Sequence, residues 1–140
     1  MNVKIKKVHP NAVIPAYAKP GDSGFDLLSI DTNFIMPGET KLIQTGLAFE
    51  LPEGYELQIR PRSGFTLHSK LRVQFGTVDS GYRGEIGIIV DNIGDEKDLI
   101  PMGMRIAQGV IAPVVRANLV ETDDLTSTER GTGGFGSTGY

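Results

Sequence analysis

Glycine and proline interrupt this chain so often that long helices are excluded. Eighteen glycines and eight prolines are spread over 140 residues, and inside a helix each glycine weakens a turn and each proline breaks one. Between these breakers lie short runs in which apolar and polar residues alternate, the period of a half-buried strand. The runs are Asn2 to Lys7, Phe25 to Leu28, Asn33 to Ile35, Glu39 to Leu51, Tyr55 to Pro61, Arg72 to Thr77, Glu85 to Asn92, Leu99 to Pro101 and Arg105 to Leu119. Such a series predicts an all-β barrel or jelly roll with at most one short helix. That helix is expected over Ser63 to Ser69 with Ser63 as its cap, and tight turns are expected at Met36-Pro37-Gly38-Glu39 and Leu51-Pro52-Glu53-Gly54.

The length suits one domain with its own core. With 39% hydrophobic and 22% charged residues the chain is globular, and no apolar run approaches the roughly 20 residues of a membrane helix, so no membrane partner is expected. The amino terminus alternates like a strand and lacks the continuous apolar segment of a secretory signal. Without cysteine there can be neither a disulfide nor a thiolate zinc site, and the expected location is cytoplasmic. A net charge of −3 without a long lysine or arginine cluster argues against binding a nucleic-acid polymer. His9 and His68 are too few and too isolated for a metal cluster. After Glu121 the apolar periodicity gives way to Thr, Ser, Asp and Gly. The chain is therefore expected to divide into a β-barrel domain over residues 1–120 and a mobile glycine-rich arm over 121–140.

Five stretches carry more chemistry than a fold requires. Gly76-Thr77-Val78-Asp79-Ser80-Gly81-Tyr82-Arg83-Gly84 lies between two alternating runs and reads as the tip of a β-hairpin. Either it is a solvated turn capped by Asp79, or its backbone edges a pocket into which Asp79 and Tyr82 project. Pro61-Arg62-Ser63-Gly64 stands where a strand enters the short helix. Free N–H groups, a hydroxyl and a guanidinium converge there, which fits either an anion site or a capped helix with a structural ion pair. Asp26 lies between Phe25 and Leu27; half-buried, it needs an arginine or a hydrated metal ion as partner. Arg105 and Gln108 open another run, where the local sequence alone allows an ordinary turn with surface polar groups. The segment from Arg130 to Thr138 has the composition of an unstructured tail, yet Phe135 offers a ring for stacking and Arg130, Ser137 and Thr138 offer donors for phosphate oxygens. No cysteine or serine stands in a nucleophile-elbow sequence.

Taken in order, Gly24-Phe25-Asp26-Leu27, Pro61-Arg62-Ser63-Gly64, Gly76-Thr77-Val78-Asp79 with Tyr82-Arg83-Gly84, Arg105-Ile106-Ala107-Gln108, and Arg130-Gly131-Thr132-Gly133-Gly134-Phe135-Gly136-Ser137-Thr138 closely resemble the five motifs of the trimeric dUTPases. That family hydrolyses dUTP to dUMP and pyrophosphate, which limits uracil in DNA and supplies dUMP for dTMP synthesis. The resemblance runs from Ala16 to Thr138. It implies a distorted jelly-roll-like β-barrel and a homotrimer with shared sites, in which Asp26, Arg62 and Gln108 come from one chain, Asp79 from a second and the arm from a third.

The resemblance also implies roles. Asp79 would be the general base for water attack on the α-phosphorus, with Gln108 positioning that water. Arg62, Ser63 and Gly64 would hold the phosphate chain, and Asp26 would reach a Mg²⁺ ion through water. The hairpin backbone, from Gly76 to Val78, would read uracil and reject cytosine by leaving buried groups unpaired. Tyr82 would lie against the deoxyribose and Phe135 over uracil. Arg130, Ser137 and Thr138 would grip the terminal phosphate, and Gly136 would complete the substrate-binding set. The chain departs from the family pattern at Gly81, where a second acidic residue is usual, at Met104, where aspartate is usual, and in Phe65-Thr66-Leu67-His68. A dCTP deaminase of the same fold would have a glutamate base in the hairpin region. A nucleotide-switched binding protein is the remaining alternative, and the insertion usual in such proteins is missing between these motifs.

Overall fold

The alternation in the sequence is realised as ten strands and one helix among residues 1–139, the residues described in a computed structural model. In chain order they are β1 (Lys4–Lys7), β2 (Phe25–Leu28), β3 (Asn33–Ile35), β4 (Thr40–Glu50), β5 (Tyr55–Pro61), α1 (Ser63–His68), β6 (Leu71–Val73), β7 (Gly76–Val78), β8 (Glu85–Asn92), β9 (Asp98–Ile100) and β10 (Arg105–Pro113). One four-stranded sheet has the order β1-β4-β8-β6, a second has β2-β10-β5-β7, and β3 pairs with β9 in a small ribbon. Every pairing is antiparallel. The fold is all-β and jelly-roll-like, and its single helix among the described residues has six residues.

Period-two alternation sets which residues fill the space between the sheets. Ile43, Leu47, Ile86, Ile88 and Val90 of the first sheet join Leu27, Leu57, Ile59 and Ile106 of the second in one buried cluster. On β5 the same alternation buries Leu57 and Ile59 and turns Gln58 and Arg60 to the other face. β4 is long enough to serve two neighbours because it bulges: its register against β8 shifts between Gln44 and Ala48. Gly46 occupies the bulge with φ +70°, and a Cβ there would lie 2.8 Å from Ala12 Cβ and 2.9 Å from His9 Cβ. Backbone and neighbours thus both exclude a side chain.

The structure departs from the sequence expectations at four places. The run Arg72 to Thr77 is two strands, β6 against β8 and β7 against β5. The chain crosses between sheets at Phe75, which is exposed, so the expected hairpin is paired only at its base. β10 stops at Pro113 instead of Leu119; proline has no N–H to continue the ladder, and Val114 makes the last backbone bond to the barrel, donating to Gly54 O at 2.8 Å. The turn after Leu51 is shifted by one residue, with Tyr55 N–H donating to Pro52 O at 3.3 Å. Ser63 is the first helical residue, and Arg62 is the cap, without a side-chain capping bond. The turn at Met36 is as expected, closed by Glu39 N–H to Met36 O at 3.0 Å.

Buried Asn92 ties the ribbon to the first sheet. Its Nδ2 donates to Ile35 O at 2.9 Å and Glu96 O at 2.8 Å, and its Oδ1 accepts from Gly94 N–H at 2.9 Å. Asn92→Leu would leave these backbone groups without partners, and the expected loss is about 2–4 kcal/mol, read as a lower urea midpoint at unchanged slope. The adjacent Asp91 accepts from the Thr40 hydroxyl and the Gln74 amide, which hold its carboxyl below the usual range. A lowered folded-state pKa gives stability that is present above the ordinary carboxylate pKa and lost as pH falls through the lowered one. Asp91→Asn should accordingly flatten the acid side of the stability profile measured by denaturation across pH.

Candidate active site

Antiparallel register lines up three chemically different side chains on one face of the second sheet. Gln108 on β10 is directly opposite Asp26 on β2 and Arg60 on β5. Directly opposed residues point the same way, so carboxylate, amide and guanidinium form a row across three strands. Two residues beyond Arg60, on the same face, Arg62 leads into Ser63 and Gly64 at the start of α1. The first N–H groups of a helix have no intrahelical partner and favour negative charge. Phe65, buried, pins the short helix to the core.

The row opens into a cleft of about 580 Å³ lined by Asp26, Arg60, Arg62, Ser63, Gly64 and Gln108 and, from the loop before β2, by Asp22, Ser23 and Gly24. Asp26 is held from two sides, by Arg62 Nε at 2.8 Å and Arg105 Nε at 3.4 Å. Arg62 Nη1 also donates to Arg105 O at 3.1 Å, and Gln108 Nε2 donates to Pro61 O at 3.0 Å. The arginine partner expected for a half-buried Asp26 is therefore present twice. Met104 does not disturb this, since its side chain packs against the core while Arg105 reaches Asp26.

Asp79 and Tyr82 lie elsewhere. The Asp79–Gly84 loop joins β7 in the second sheet to β8 in the first, and Tyr82 N–H closes a turn on Asp79 O at 3.1 Å. Tyr82 OH donates to Glu85 O at 3.2 Å. A separate hollow of about 290 Å³ is lined by Val78, Asp79 and Tyr82, with Leu42 and Ile89 of the first sheet. Gly76 lies behind it, where a Cβ would meet Ile59 Cβ at 3.1 Å. Gly81 has open space around it, so the missing acidic side chain removes no contact within this chain.

Arg130, Phe135, Gly136, Ser137 and Thr138 line a third hollow, about 500 Å³, formed by the carboxyl-terminal segment itself. Phe135 is fully exposed at φ +52°, and Arg130 Nε donates to Gly133 O at 3.0 Å. One chain thus gathers Asp26, Arg62, Ser63, Gly64 and Gln108 but leaves the other candidates in two further hollows. Among the described residues no three His, Cys, Asp or Glu side chains are grouped to hold a metal, and no helix is long and apolar enough to cross a membrane. The only carboxylate on the row, Asp26, already faces two guanidinium groups. That donor set suits an ion that takes most of its ligands from water and substrate, as Mg²⁺ does, and not one that needs a protein cage.

Sequence reasoning gave no role to Arg60, Ser23 or Gly24, although Gly24 opens the first of the five motifs. Arg60 falls one residue before Pro61-Arg62-Ser63-Gly64, and only strand alternation signals that it shares a face with Arg62. Gly24 falls just before a strand, where a close backbone approach is a standing possibility.

The fold and cleft define a jelly-roll-like β-protein with an anion-accepting site at one end of its second sheet. The chain belongs to the dUTPase family, whose model matches residues 10–139. It is 54% identical to the deoxyuridine 5'-triphosphate nucleotidohydrolase of Nautilia profundicola and 46% identical to that of Helicobacter pylori, over 99% of this chain and 99% and 97% of theirs. It also superposes on the dUTPase of Staphylococcus bacteriophage 80alpha with dUpNHpp, with TM-score 0.94 and 30% identity over 99% of each chain. A dUTPase variant from phage phi11, whose structure describes a structural Mg(II) ion, matches with TM-score 0.86 and 25% identity over 91% of this chain and all of that one.

Gly24 gives the site a direct test. A Cβ there would lie 2.8 Å from Gln108 Oε1 and 3.0 Å from Gly109 O. Gly24→Ala is expected to swing the Gln108 side chain off its row and to cost about 1–3 kcal/mol, checked by a crystal structure and urea denaturation.

Proposed function

We propose that this protein is a Mg²⁺-dependent dUTP diphosphatase that converts dUTP to dUMP and pyrophosphate in the cytoplasm. The observation that carries the reading is the cleft where Asp26, Arg62, Ser63, Gly64 and Gln108 meet, in a chain 54% identical over its length to a named dUTP nucleotidohydrolase.

In this reading Asp79 takes a proton from a water that attacks the α-phosphorus, and Gln108 orients that water. Arg62 and the Ser63 and Gly64 N–H groups bind the phosphate chain and stabilise the charge that grows on it. Asp26 keeps Arg62 aimed at the cleft and would help hold Mg²⁺ through water; the ion would supply neutralisation of phosphate charge. The Gly76–Val78 backbone reads the base and Tyr82 lies against the sugar. Phe135 covers the base, with Gly136 beside it, and Arg130, Ser137 and Thr138 hold the terminal phosphate.

A homotrimer with shared sites accounts for the division of these residues among three hollows. Each site would take the cleft from one chain, the Asp79 loop from a second and the arm from a third, with residues 1–120 as the barrel and 121–140 as the arm that closes over a neighbour. The exposure of Val115, Leu119, Val120, Leu125 and Phe135 supports this, because such apolar side chains gain from cover that their own barrel does not provide.

Pyrophosphate release from dUTP, dCTP, dTTP and UTP, with and without Mg²⁺, tests the function; turnover confined to dUTP with Mg²⁺ is expected, and equal turnover of dCTP would overturn it. Asp79→Asn should lower kcat about 10²- to 10⁴-fold, the range for a lost general base, while calorimetry finds dUpNHpp binding retained.

A further inference from the structure

The cleft holds a cation that the chemistry above does not use. Arg60 is directly opposite Gln108 and two residues before Arg62, half-buried on the same face of the second sheet. Among the described residues no carboxylate lies within 4.0 Å of it. Its Nε and Nη2 instead donate to Gln58 Oε1 at 2.9 and 2.5 Å. Gln58 Nε2 in turn donates to Glu56 Oε1 at 2.6 Å. Three side chains at alternate positions of β5 thus form a ladder that ends in the cleft.

The ladder holds Arg60 through a neutral group. An amide oxygen fixes two N–H groups but carries no charge, and the Nη1 donors are not spent on it. Glu56 is the far end of the ladder: its carboxylate accepts from Gln58 and makes no direct contact with the guanidinium. Arg62 and Arg105, by contrast, both face Asp26. Asp22, the other carboxylate lining the cleft, caps its own loop by accepting from Lys19 N–H at 2.9 Å. Arg60 thus lines the cleft with no carboxylate of the described residues in direct contact, and a planar guanidinium with free donors selects phosphate oxygens.

We propose that Arg60 is a further substrate-binding residue, contacting the phosphate chain of the nucleotide, and that Gln58 is the positioning residue that aims it. The proposal rests on the dUTP reading for the identity of the nucleotide. Its ligand chemistry, a polyphosphate, stands on the cleft itself.

Steady-state dUTP hydrolysis by the full chain tests it. Arg60→Gln is expected to raise KM about tenfold with kcat within about twofold, the size of one partly exposed charge-assisted contact. It should also weaken the rise of KM with added salt, because a screened attraction has been removed. Arg60→Lys should recover part of the affinity. Gln58→Glu sets a carboxylate against the guanidinium and should reproduce the rise in KM with the arginine still in place. An unchanged KM in Arg60→Gln overturns the proposal, as does a KM rise with the salt dependence of the wild type. Calorimetric binding of inorganic tripolyphosphate separates this proposal from the reaction. About tenfold weaker binding in Arg60→Gln supports the contact even if the wild type fails to turn over dUTP, and equal binding refutes it.

Discussion

A single carboxylate joins three strands at the point where the cleft opens. Asp26 on β2 draws in Arg62 from the end of β5 and Arg105 from the start of β10, so one anion fixes the ends of three neighbouring strands. Its value lies in geometry more than in stability. The pair with Arg62 is only about a third exposed on each side, and such a pair gains little net energy over water while removal of one partner leaves the other unmatched. Without Asp26 two guanidinium groups would repel across the strand ends. With it, Arg62 is held at a fixed angle beside Ser63 and Gly64, and those N–H groups complete a surface that accepts negative charge.

Most of this architecture was legible in the sequence because the strands obey period two and the breakers are unambiguous. β2, β3, β5 and β8 begin and end where alternation and flanking Gly, Pro or Asx place them. Asp26 could be read from its two apolar neighbours as half-buried and in need of an arginine or a metal ion, and the structure supplies the arginine. The errors share a cause, which is that local pattern does not reveal pairing partners. Phe75 continues the alternation of β6, yet β7 pairs with β5 in the other sheet. Val115 and Leu119 continue the pattern of β10, yet among the described residues no strand pairs with them once Pro113 ends the ladder. Arg60 was overlooked for a related reason: its importance comes from the residue opposite it on β10, which a linear motif does not show.

The three hollows restate that limit at the level of the site. The cleft side chains are held by hydrogen bonds and ion pairs within their own chain, and Tyr82 by a bond to Glu85 O. Phe135 is fully exposed, and the backbone bonds of the segment around it stay within the segment. A residue set divided in this way is local order without local completeness. Each part has its geometry settled by its own neighbours: the cleft by its ion pairs, the Asp79 loop by its turn and the carboxyl-terminal segment by its internal bonds.

The crossing loop from Asp79 to Gly84 is anchored to the second sheet through β7 and to the first through β8. Its span is therefore set by the thickness of the packed core between the two layers. Ile59, Ile86 and Ile88, none of which lines the Asp79 hollow except Ile86, act as spacers for that thickness. Interior volume thereby becomes a determinant of where the Asp79 side chain stands relative to the two sheets.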